Sequence, residues 1–180
     1  MDLTPEAIAA IAGWQSVYPG FDRNDPLACK AHIQSVLDYV TSSGDLECHV
    51  LQDGGLSNYA VLFVFIKKGM PAPTSYRHVD GLLVYLSLCA PLAIVGYTRK
   101  CPDPDMTSYN SLTIRDLIAP EAFKEGMEIR TLAALHVGGY RVLSTEEVNQ
   151  PLPPGVEPYG YCYADVPGDC VFTAIFADTD

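Results

Sequence analysis

Residues Tyr59–Ile66 read Tyr-Ala-Val-Leu-Phe-Val-Phe-Ile, eight successive positions with almost no polar face. A strand with one side in water alternates apolar and polar side chains. A short run of aromatic and β-branched residues bounded by turn-formers instead describes a strand covered on both faces. This segment therefore belongs at the centre of a sheet, and the rest of the chain must supply the two covering layers. With 180 residues, 48% of them hydrophobic and 18% charged, there is enough apolar surface for one well-buried core and too little length for two, so a single domain over residues 1–180 is expected.

Helix signals precede that strand. Thr4-Pro5-Glu6 combines a hydroxyl cap, a proline whose missing N–H is harmless in the first turn, and an acid at the dipole's positive end, predicting a helix from residue 5 to about 15. Asp25-Pro26 repeats the pattern. Leu27, Ile33, Val36, Leu37 and Val40 mark one face of a second helix that Gly44 stops. Strand periodicity then begins at Leu46–Gln52, followed by a turn at Asp53-Gly54-Gly55 and the central run. Residues 82–89 and 92–97 are two further apolar strands, with Pro91 making a bend or an edge between them. The apolar stretch 82–98 is too short for the ~20 residues of a membrane-spanning helix, and Pro91 interrupts it.

Residues 101–110 read as a loop. Residues 111–137 are ambiguous: Leu112, Leu117, Ile118 and Phe123 suggest helical turns, while Leu132, Leu135 and Val137 fit either a helix or a strand. Ser144 with Glu147 three residues on is a capping box for a short helix, and Pro151, Pro153 and Pro154 make a stiff connector. Residues 159–165 and 170–177 flank Val166-Pro167-Gly168-Asp169, which predicts a C-terminal β-hairpin. Its simplest register sets Tyr163 against Phe172, Tyr161 against Ala174 and Tyr159 against Phe176, gathering five aromatics on one face. Helices first and hairpin-linked strands after predict an α+β fold with an antiparallel-dominated sheet, N-terminal helices and a C-terminal β-hairpin.

Charge is uneven. The 22 acids and 11 bases give a net charge of -11. After Arg141 there is no Lys or Arg, and Glu146, Glu147, Glu157, Asp165, Asp169, Asp178 and Asp180 put -7 on the last 39 residues. This balance disfavours nucleic acid and anionic membranes as partners and favours a neutral or basic protein. Glu146, Glu147, Glu157, Asp165 and Asp169, with Tyr159, Tyr161 and Tyr163, are the candidate partner-binding residues, since carboxylates steer encounter and exposed tyrosines anchor interfaces.

Catalytic signatures are absent. The chain has no G-x-G-x-x-G, no G-x-x-x-x-G-K-[ST] and no G-x-S-x-G. Cys29, His32, Cys48 and His49 lack partner spacing for a metal, and the neighbours Cys48 and His49 point to opposite faces of a strand. No cofactor is implied, and the six cysteines read as free thiols. The most site-like polar group is Arg77-His78-Val79-Asp80, where Asp80 would orient the His78 imidazole as a base and Arg77 would hold an anion. Met1-Asp2-Leu3-Thr4-Pro5-Glu6 lacks a basic leader and an apolar run, so a cytoplasmic protein is expected.

A small, acidic, single α+β domain of this kind, with no catalytic motif, resembles the immunity proteins of bacterial polymorphic toxins and type VI secretion effectors. The resemblance implies a non-enzymatic inhibitor that neutralises a cognate toxin by stoichiometric binding in the cytoplasm. A basic target such as a nuclease would suit its charge. The alternatives are a small enzyme or ligand-binding domain with a pocket around Arg77, His78 and Asp80, and a structural or oligomerisation subunit.

Overall fold

The computed structural model describes residues 3–67, 79–100, 112–123, 126–160 and 169–177. The apolar run Tyr59–Ile66 is β2 of a five-stranded sheet, flanked by β1 (Leu46–Gln52) and β3 (Val79–Ser87). Next come β4 (Leu92–Lys100), antiparallel to β3, and the short β5 (Arg141–Val142), parallel to β4. Order in space follows order in sequence, β1 to β5, so the sheet is an antiparallel meander with one parallel strand added at its edge. The class is α+β with a mostly antiparallel sheet, as the sequence led us to expect.

Both faces of β2 are covered. From Tyr59 to Phe65 no residue is more than 5% exposed. Tyr59, Val61, Phe63 and Phe65 face a layer formed by α1 (Pro5–Ala12), α4 (Thr145–Val148) and α5 (Val171–Ile175). Ala60, Leu62 and Val64 face α2 (Pro26–Thr41) and α3 (Gly126–Val137). Alternation of side chains along the strand divides the core into two. Gly81 on β3 permits a close approach to β2: a Cβ there would meet the Val64 carbonyl at 2.5 Å.

The capping signals act as read. Thr4 Oγ1 accepts from the Ala7 N–H at 3.2 Å, and Asp25 Oδ1 accepts from the Leu27 and Ala28 N–H groups. Ser144 and Glu147 close their box. α1 stops at Ala12, short of residue 15, because the chain turns left-handed at Trp14, φ +59°. There the Trp14 N–H donates to the Ile11 carbonyl and the Gln15 N–H to Ala10, both at 2.8 Å, a Schellman closure in which tryptophan occupies the position usually held by glycine. The ambiguous stretch resolves into two 3₁₀ turns, Ile114–Asp116 and Pro120–Ala122, and then α3, so Leu132, Leu135 and Val137 continue a helix.

The C-terminal hairpin is overturned. Its second arm is α5, a five-residue helix whose Val171, Phe172, Thr173, Ala174 and Ile175 are all buried. The sequence cue was β propensity. It yields here because the segment lies under the sheet against α1, where a helical turn satisfies its backbone groups internally. The first arm's Tyr161, Tyr163 and Asp165, with turn residues 166–168, lie outside the described residues. Tyr159 does not oppose Phe176. Its N–H donates to the Ala12 carbonyl at 2.8 Å, which ties it to the end of α1.

Candidate functional site

Between α2 and the end of β1 opens a cleft of about 620 Å³. Ile33 and Leu37 from α2, Val50 from β1 and Leu88 from the bend after β3 give it apolar walls, while Arg23, Lys30 and Asp53 bring charge to its lining. Gly54 belongs to the floor. At φ +112°, and with Leu88 Cδ1 only 2.6 Å from where a Cβ would stand, this position demands glycine. The Asp-Gly-Gly sequence that reads as a simple turn thus shapes a cavity. Ser57 holds the turn closed by donating to the Gly54 carbonyl at 2.6 Å while it accepts from the Gln52 amide.

Arg23 is the most constrained charge in the cleft. Its guanidinium carbon lies 4.0 Å from the centroid of the Trp14 ring, and Nη2 donates to the Gly55 carbonyl at 3.2 Å. Its Nε is buried without a hydrogen-bond partner, as is Trp14 Nε1. On the ring's other contact, Tyr159 packs edge-on at 5.2 Å between centroids and is itself 70% exposed. A continuous stack therefore runs from Gly55 in the cleft through Arg23 and Trp14 to the surface at Tyr159. In the sequence Gly55 reads only as part of a turn, and neither Arg23 nor Trp14 is singled out. A cation and an aromatic nine residues apart on a loop carry no spacing rule.

Behind the cleft, the Cys29 thiol donates to the Asp22 carbonyl at 3.4 Å, and burial raises its pKa, reinforced by the nearby Asp25 and Asp22 carboxylates. Burial pushes the Cys48 and Cys89 thiols up to about 12, so both are poor nucleophiles at neutral pH. His32 stacks on Phe21 at 4.3 Å and bonds the Gly20 carbonyl at 2.9 Å. His49 leans on Phe65, on the opposite face of β1 from Cys48. No three His, Cys, Asp or Glu side chains among the described residues converge to hold a metal.

The expected interface residues divide. Glu146, Glu157, Asp169 and Tyr159 are exposed, and those three acids form no ion pair among the described residues. The strips that carry them are knit together: Leu152 donates to the Asp169 carbonyl at 2.8 Å and Val171 to Gln150 at 2.9 Å. Glu147 differs. Burial opposes its charge, but the Ser144 N–H and the Arg141 guanidinium outweigh that and hold its carboxyl below the usual range. It is occupied within the fold. Of the rival cluster, Asp80 is exposed on β3, while Arg77 and His78 lie outside the described residues.

No family model, no curated protein and no solved structure matches this chain. Among the described residues, no helix is long and apolar enough to cross a membrane.

Proposed function

We propose that the chain acts by binding a protein, as a stoichiometric inhibitor of the immunity-protein type that neutralises a basic toxin in the cytoplasm. The observation that carries this reading is Tyr159. It is a large aromatic side chain, 70% exposed yet braced edge-on by Trp14 and anchored through its backbone to α1, in the segment that holds most of the net charge. A pre-positioned tyrosine loses little side-chain entropy on binding, and its ring supplies contact area, which is why tyrosine recurs at interface hot spots. Glu146, Glu157 and Asp169, in the same C-terminal segment, are exposed carboxylates that form no ion pair among the described residues, suited to steering a cationic partner.

The test is co-expression with the products of the adjacent reading frames, followed by light scattering on any purified complex. A complex of fixed stoichiometry that abolishes the neighbour's toxicity is expected. Toxicity unrelieved by the chain, with no complex to either neighbour, overturns the reading.

A further inference from the structure

Beyond partner binding, the geometry points to a second site: we propose that the cleft between α2 and β1 binds an amphipathic monocarboxylate, its head on Arg23 and Lys30 and its apolar body along Ile33, Leu37, Val50 and Leu88.

Charge pairing is the first argument. Six Lys and Arg side chains are described. Lys67, Arg130 and Arg141 are ion-paired with Glu47, Asp45 and Glu147, whereas Arg23, Lys30 and Arg115 form no ion pair among the described residues. Two of those three line the same cleft, in a chain whose net charge is -11. Acids close to Arg23 in sequence are directed elsewhere: Asp22 accepts from the Asn24 N–H at 2.9 Å, and Asp25 caps α2 through Leu27 and Ala28. A guanidinium with no carboxylate partner among the described residues, in so acidic a chain, suits an anionic ligand.

Preorganisation is the second. Trp14 holds one face of Arg23 and the Gly55 carbonyl takes Nη2, which fixes the guanidinium at the cleft before any ligand arrives. Trp14 does this from the left-handed position that closes α1, which fixes where its ring stands. The third argument selects the ligand. Arg23 and Lys30 against Asp53 leave the lining one positive charge, matched by a monoanion better than by a phosphate dianion. Aliphatic walls and a volume of about 620 Å³ call for an apolar body on that head.

The chain's single tryptophan is Trp14, which packs on Arg23 outside the cleft lining, so its fluorescence reports on that cation. The full chain is titrated with octanoate at neutral pH, alongside 1-octanol, which has the body without the charge, and acetate, which has the charge without the body. A saturable change with octanoate is expected, at least about tenfold tighter than with either control. Arg23→Met should weaken octanoate about tenfold or more with its thermal melt retained. Lys30→Met, at an exposed helix position, should weaken it about threefold and decides the matter if the arginine variant does not fold. The proposal fails if octanoate gives no saturation, if either control binds as tightly, or if octanoate affinity is unchanged in the folded variants. No protein partner enters the titration, so its outcome is separate from that of the inhibitor reading.

Discussion

Arg130 on α3 reaches across to Asp45, at the turn between α2 and β1, and Ser43 donates to the same carboxylate oxygen at 2.5 Å. The Arg130 hydrogen bond first, and Ser43 after it, bring the Asp45 carboxyl down to about 2 from an ordinary 3.8. A carboxyl whose folded pKa lies below its unfolded one stabilises the fold above the unfolded value and loses that contribution as pH falls through the folded one. The window for Asp45 is therefore roughly pH 4 down to pH 2. Carbon-detected NMR of the side chain should place its titration near the lower end, and Arg130→Met should return it towards 3.8 without unfolding the chain. A midpoint near 3.8 in the unmodified protein would mean the ion pair does not persist in solution. The pair lies at the surface, so the effect belongs to the local pKa and the α3 to β1 contact rather than to global stability.

Among the elements, α5 depends most on its surroundings. Five residues cannot hold a helix alone, since nucleation outweighs what one turn returns. Asn58, fully buried just before β2, supplies what is missing: its amide donates to the Ala174 carbonyl at 3.2 Å and its side-chain oxygen accepts from the Ala177 N–H at 2.8 Å. Asn58→Ala would leave both backbone groups buried and unpaired. It should cost about 3 kcal/mol in urea unfolding and make the C-terminal segment cleavable by protease under native conditions. A loss below about 1 kcal/mol would show that water takes over the amide's role. The same element marks where the sequence stopped being readable. Runs with a local cause were legible: the two-sided apolar strand, the Thr4, Asp25 and Ser144 caps, and the bend at Pro91. In residues 170–177 the Val, Phe and Ile content signals a strand, while the deciding contact, Asn58 with Ala174 and Ala177, spans more than a hundred residues. The cleft was hidden for a like reason. Asp53-Gly54-Gly55 shows a turn, but that Arg23 docks on it and Leu88 roofs it follows only from the closed sheet.

On the scale of the whole molecule, the exposed acids and the cleft cations fall on different segments of the chain. Glu146, Glu157 and Asp169, without ion pairs among the described residues, share the C-terminal segment with Tyr159, and Arg23 and Lys30, likewise without one, line the cleft, with the Trp14 ring touching both Arg23 and Tyr159. Long-range attraction acts before contact and the aromatic anchor only after it, so the two should separate kinetically against a basic partner. Glu146, Glu157 and Asp169 are the acids to reverse. Glu147 is excluded because it caps α4 and pairs with Arg141, so its loss would confound binding with folding. The triple change to Lys should slow association by about tenfold or more at low salt and flatten its salt dependence, with dissociation little altered. Tyr159→Ala should leave the association rate nearly intact and raise the dissociation rate by the equivalent of about 1–2 kcal/mol. Stopped-flow or surface-capture kinetics at two salt concentrations resolve the pair. If the folded triple variant associates at the unmodified rate at both, the acids serve only to keep the surface solvated, and Tyr159 alone would have to carry recognition.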